Sequence, residues 1–120
     1  MSDEIKTDGG GEIPAPSWKD SFKLRDDLRQ RDVYAFEKNM NKLGGLQEDG
    51  ASIRAVTALK AAIEAGWLVA PANEVLRDSK NRARHFIDGE DVDDMHAGKV
   101  LFYGARVVNA YTSAISIPPN

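Results

Sequence analysis

The stretch from Gly89 to Asn120, GEDVDDMHAGKVLFYGARVVNAYTSAISIPPN, constrains the fold more than any other. Glu90, Asp91, Asp93 and Asp94 precede a run in which Val100, Tyr103, Val107, Tyr111 and Ala114 recur at spacings of 3, 4, 4 and 3. That period places them on one face of a helix over about 93–114. Asp93 or Asp94 offers a cap oxygen at its start, and Pro118-Pro119 cannot continue it. Met95, Leu101, Phe102 and Val108 broaden the face. Gly98 and Gly104 each weaken the helix by up to about 1 kcal/mol relative to alanine, a cost that close backbone packing would explain.

Two further helices follow from the same reasoning. Val33, Phe36, Met40 and Leu43 share a face of a helix over about 31–43, with Asp32 able to accept an orphan N–H at its start and Gly44-Gly45 able to end it. A helix over 51–65 has Ile53, Val56, Leu59 and Ile63 as its apolar stripe. Its alanines at 55, 58, 61, 62 and 65 permit a neighbouring helix to approach closely. Gly66 stops it, and Trp67-Leu68-Val69-Ala70-Pro71 leaves in an extended form. Residues 74–84 have a poor helical period and are expected as a short helix or irregular segment. Phe22 and Leu24 leave room for a small strand near 20–25, which could pair only with Trp67–Val69 or with another chain. Asp88-Gly89 reads as a turn. The expectation is therefore an all-α domain over 18–120, a small bundle of three main helices plus a short helix, preceded by a disordered arm over 1–17. That arm carries Gly9-Gly10-Gly11, Pro14 and Pro16 and too few apolar side chains to offset its ordering entropy.

Composition narrows the function classes. The net charge of -3 argues against a protein dominated by phosphate binding, which needs a basic stripe. The chain has no cysteine, which excludes disulfide and thiol chemistry and fits a reducing cytoplasm. No run approaches the roughly 20 apolar residues of a membrane span.

No motif supplies an active site. The acidic run Asp88-Gly-Glu90-Asp91-Val-Asp93-Asp94 departs from a calcium loop, because the glycine is second and the twelfth position is Lys99. Carboxylates ahead of a helix complement its dipole instead. His85 and His96 have no second histidine at metal-ligand spacing, so neither a metal nor another cofactor is expected. His96-Ala-Gly98-Lys99-Val100 lacks the first glycine, the hydroxyl residue and the preceding strand of a phosphate loop. Arg77, Lys80, Arg82 and Arg84, with His85 and Phe86, form the one basic cluster, read as a solvated face before a nucleic-acid surface.

The aromatics read first as core, and second as contacts for a protein partner. Phe102 and Tyr103 are helix neighbours about 100° apart, so a three-helix core does not readily cover both, and an exposed aromatic is a common interface anchor. Phe22, Leu24, Trp67, Val69, Phe102 and Tyr103 are the candidate partner-binding residues.

Three blocks carry a resemblance. Phe22-Lys-Leu24-Arg-Asp-Asp-Leu28 leads into Arg31-Asp-Val33-Tyr-Ala-Phe36-Glu. Trp67-Leu-Val-Ala-Pro71 follows the alanine-rich helix. Asp88-Gly-Glu-Asp-Val92-Asp-Asp-Met95 precedes Gly104, Tyr111 and the ending Ile117-Pro-Pro-Asn120. This order, over about residues 20–120, resembles small tailed-bacteriophage and prophage morphogenesis proteins of the tail assembly chaperone type. The resemblance implies a non-enzymatic helical protein of the host cytoplasm. Such a protein binds the tape measure protein, keeps its long apolar helices soluble and helps recruit tail tube subunits. A small virion structural or adaptor component is the alternative, and a nucleic-acid-binding regulator using Arg77 to Arg84 the second. Self-association is compatible with the first two.

Overall fold

The computed structural model describes residues 18–44 and 50–116. The expected arm over 1–17, Gly45, most of the loop after it and the Ile117-Pro118-Pro119 exit lie outside the described residues. In chain order the elements are α1 (Trp18–Ser21), β1 (Lys23–Leu24), α2 (Gln30–Lys42), α3 (Ala51–Glu64), β2 (Leu68–Ala70), β3 (Asn73–Arg77), β4 (Ala83–Ile87), β5 (Glu90–Asp91), a 3-10 turn (Val92–Asp94) and α4 (Ala97–Ile115).

The all-α expectation is overturned, since two antiparallel sheets accompany the helices. The segment expected as a short helix near 74–84 is a β-hairpin. Its register runs from Asn73 opposite Ile87 to Arg77 opposite Ala83. β5 extends the sheet, with Phe86 opposite Asp91 and Ile87 opposite Glu90. The loop between β3 and β4 explains the hairpin. Asp78 Oδ1 accepts from the Lys80 and Arg82 N–H groups, at 2.9 Å each. Asn81 takes a left-handed φ of 60°, a conformation asparagine tolerates better than most residues. The poor helical period was a period of two: His85 and Ile87 are buried, while Arg84 and Phe86 point the other way and are half-buried. The Asp88-Gly89 turn is present, with φ values of 54° and 79°.

β1 pairs with β2, Leu24 opposite Leu68 and Lys23 opposite Ala70. The small strand thus takes the intrachain partner that the sequence offered it.

The three long helices form where the apolar periods put them, but two of their details differ. On α3 the alanines face the core: Ala55, Ala58, Ala61 and Ala62 are buried with Leu59 and Ile63, while Ile53 is 53% exposed. The cause is the crossing of α4. A Cβ placed on Gly104 would lie 2.6 Å from the Ala55 carbonyl oxygen and 2.7 Å from its Cα. At that separation only small side chains fit between the two backbones. The cap of α4 also differs. His96, not Asp93 or Asp94, caps it, its Nδ1 accepting from Gly98 N–H at 3.1 Å. The two aspartates are taken up in the 3-10 turn, where Asp91 Oδ1 accepts from Asp93 N–H at 2.9 Å. Val92 and Met95 anchor that turn in the core. Gly66, at φ 75°, ends α3 as expected, and Gly44, at φ 84°, follows α2.

The core is shared by all these layers. Phe22, Phe36, Leu59, Trp67, Ile87, Val92, Tyr103 and Val107 are each no more than 3% exposed. Trp67, put forward above as a partner contact, is instead fully buried within this core.

Candidate protein-binding groove

α2 and α4 leave a groove between them. Its volume is about 560 Å3, and it is lined by Tyr34, Phe36, Glu37, Lys38, Met40, Asn41, Val108 and Tyr111. The sequence places Phe36, Met40 and Tyr111 on inward helix faces. Tyr34 and Val108 sit at the edges of those faces, and they remain 62% and 45% exposed.

The floor of the groove is held from below. The Phe36 ring stacks on Trp67, with centroids 4.5 Å apart and planes 20° from parallel, and it meets Tyr111 at 5.2 Å. Trp67 Nε1 donates to the Asp32 carbonyl, one helical turn before Phe36, at 3.1 Å. The Asp32 carboxylate accepts from both terminal nitrogens of Arg25, at 3.1 Å each, and from Arg29 N–H at 2.9 Å. Arg25 N–H in turn donates to the Trp67 carbonyl at 2.9 Å. Asp32 thus supplies the cap oxygen expected of it, at the third helical position. Foremost the Arg29 N–H, then the Arg25 guanidinium, hold its carboxyl below the ordinary 3.8.

The rim is polar and mixed in sign. Tyr111 Oη donates to Glu37 Oε2 at 2.5 Å. That bond, aided by burial, raises the phenol above the ordinary 10.0. Lys38 Nζ lies 5.7 Å from the Tyr34 ring centroid, within cation–π range.

The residues that the sequence put forward as partner contacts fall into two places, neither of them in the groove. Phe22, Phe102 and Tyr103 come together with Trp18. Phe22 stacks on Tyr103 at 4.1 Å, and Trp18 meets Phe102 and Tyr103 edge-on at 5.4 and 5.5 Å. Phe22 and Tyr103 are buried there, and Phe102 is half-buried. Leu24, Trp67 and Val69 belong to the β1–β2 ladder and its approach. Trp67 is fully buried, Leu24 is half-buried, and Val69 is 61% exposed. The groove residues were missed because each reads as ordinary helix-face material. The available signal was Tyr34 and Val108, apolar side chains one step outside their stripes.

A second polar cluster ties the ends of α2 and α3 to the sheet. Glu64 accepts from Lys42 Nζ at 2.6 Å and lies 2.7 Å from His85 Nε2. His85 is 2% exposed, and its Nδ1 has no hydrogen-bond partner. The sequence had placed this histidine at the surface or partly packed. The basic cluster is largely offset within its own hairpin. Arg82 pairs with Asp78 at 2.9 Å and Arg84 with Asp91 at 2.7 Å. Lys60 meets Asp93 at 2.8 Å, so the acidic run serves structure and charge neutralisation.

Among the described residues no three His, Asp or Glu side chains are grouped to hold a metal ion, and no helix is long and apolar enough to cross a membrane. No family model, curated protein or solved structure matches the chain.

Proposed function

We propose that this chain is a non-enzymatic protein-binding protein of phage tail morphogenesis. In this reading it is a tail assembly chaperone of the host cytoplasm that holds an apolar helix of the tape measure protein in the α2–α4 groove. The groove itself carries the binding part of the reading: an apolar floor of Phe36, Met40 and Tyr111, walls with exposed Tyr34 and Val108, and a mixed-charge rim. Its length suits a helix. Tyr34 to Asn41 spans two turns of α2, about 10 Å, which matches an i, i+3, i+7 apolar stripe on a client. The client's identity rests on the resemblance of the three sequence blocks.

The test is co-expression of the full chain with the tape measure protein of the same genome, followed by affinity purification. Stoichiometric co-purification is expected, with loss in Tyr34→Glu and Val108→Glu. Both side chains are substantially exposed, so these changes spare the core. Co-purification undiminished in both variants overturns the groove assignment. Recovery of tail or capsid subunits without the tape measure protein favours the adaptor alternative.

A further inference from the structure

β3 presents an open edge. Among the described residues it is paired with β4 alone, and no second strand is hydrogen-bonded to its other side. The ladder shows which main-chain groups face that side. Two hydrogen-bonded pairs bracket it: Asp88 N–H donates to the Ala72 carbonyl, and Asp78 N–H to the Arg82 carbonyl. Hydrogen-bonded and non-bonded pairs alternate along an antiparallel ladder. Ala72, Glu74, Leu76 and Asp78 therefore bond to β4. Asn73, Val75 and Arg77 direct their N–H and C=O groups outward.

This edge lacks two of the usual safeguards. It has no proline and no bulge, and its register with β4 is regular over all five residues. It carries two adjacent apolar side chains, Val75 and Leu76, which are 37% and 47% exposed. Glu74 and Arg77, both exposed, flank them.

We propose that β3 is a self-association edge, pairing antiparallel with β3 of a second copy of this chain about a two-fold axis. The sequence of the strand selects both the occupant and the register. Opposed side chains lie on one face of a sheet, so such an axis pairs residues whose numbers share parity. Centring on Glu74 opposes it to its own copy. Centring on Leu76 opposes Glu74 to Asp78, and centring on Arg77 opposes two arginines. Like charges directly opposite are unfavourable. Centring on Asn73 also avoids like charges but opposes Val75 to Pro71, which has no N–H to donate. Centring on Val75 opposes Val75 to Val75, Glu74 to Leu76 and Asn73 to Arg77, with no like-charge pair. That register also matches the outward groups: Asn73, Val75 and Arg77 form the hydrogen-bonded pairs, about six main-chain bonds in all. The result is one continuous sheet running β5-β4-β3 across the axis into β3-β4-β5 of the second copy.

Sedimentation equilibrium of the full chain from about 1 μM to about 1 mM tests this. A monomer–dimer equilibrium is expected. Val75→Pro removes an outward N–H that β4 does not use, a position where an edge strand tolerates proline. It should give a monomer with an unchanged circular dichroism spectrum. The register has its own test, which holds even if the proline variant fails to fold. Leu76→Glu opposes Glu74 twice across the axis and should weaken association about tenfold. Leu76→Lys opposes it with opposite charge and should not weaken association. A chain that stays monomeric throughout, a dimer unaffected by Leu76→Glu, or equal weakening by both Leu76 variants overturns the proposal. A dimer that survives in folded Val75→Pro does so too. The groove variants lie on α2 and α4, so either proposal can fail without the other.

Discussion

The indole Nε1–H of Trp67 donates to the main-chain carbonyl of Asp32 across 35 positions of sequence, at 3.1 Å. This bond joins the exit of α3 to the first turn of α2, and the Phe36 ring rests on the same indole. Trp67→Phe removes the donor and shrinks the ring. The unmet carbonyl and the small cavity should together cost about 2–3 kcal/mol in urea unfolding. A loss under about 0.5 kcal/mol would show that the bond does not hold the two helices together.

Gly104 is the second structural lever. Gly104→Ala forces a methyl group against the Ala55 backbone. The overpacking penalty of about 1–3 kcal/mol exceeds the gain of up to about 1 kcal/mol in helix propensity. Thermal unfolding should therefore show a lower Tm. Adding Ala55→Gly should restore only part of it, because the Ala55 carbonyl and Cα also stand in the way. A rise in Tm for Gly104→Ala would disprove the close crossing.

Acid should destabilise the fold in a defined window. Asp32, Glu64, Asp78 and Asp91 are all held below their ordinary values of 3.8 or 4.5. For Asp32 the largest cause is the Arg29 N–H, and for Asp78 it is the Arg82 N–H. Burial pushes Glu64 and Asp91 up. It is outweighed by Lys42 and His85 at Glu64, and by the Asp93 N–H and Arg84 at Asp91. A carboxyl with a lowered folded pKa binds fewer protons folded than unfolded. Its stabilisation is full above the unfolded value and is lost as the pH falls through the folded one. The unfolding free energy should stay level down to about pH 4.5 and then decline. Asp32→Asn should make that decline shallower. A profile that stays flat to about pH 2.5 in the parent chain would contradict the carboxylate network.

Weak nucleic-acid binding is the fourth expectation. Arg82 and Arg84 are paired with Asp78 and Asp91, so few counterions are released on meeting a phosphate chain. Fluorescence anisotropy with random-sequence single-stranded DNA at about 0.15 M salt should show no saturation up to about 100 μM. Saturable, salt-sensitive binding in that range would return the hairpin to consideration as a nucleic-acid surface.

The helices were legible because their apolar residues repeat over three turns or more. Phe36, Val100, Tyr103 and Val107 lie in the core where the period puts them. The hairpin was not, because each strand is only five residues long and β3 is too exposed to show apolar alternation. Its clearest sign was chemical: Asp78 and Asn81, both turn formers, between two short runs. The inward turn of the α3 alanines was likewise hidden, since small residues announce a close neighbour only once that neighbour is known. Gly104 gave half of that information. The groove was illegible for a different reason. It is a space between α2 and α4, whose pairing depends on where Trp67 and Asp32 meet, and no local pattern encodes such a meeting.

The near-contact of the α3 and α4 backbones at Ala55 and Gly104 has a consequence for recognition. Helices that meet through bulky side chains can slide as rotamers exchange, whereas backbones in contact have no such slack. α4 is therefore keyed to α3, and α3 is joined to α2 through Lys42 and Glu64 and through Asn39, which donates to the Ala61 carbonyl. The two walls of the cleft are indexed to one common spine. Under the proposed function, a guest helix would meet a mould already set, lose little of its affinity to ordering the host, and be chosen by the spacing of its own side chains.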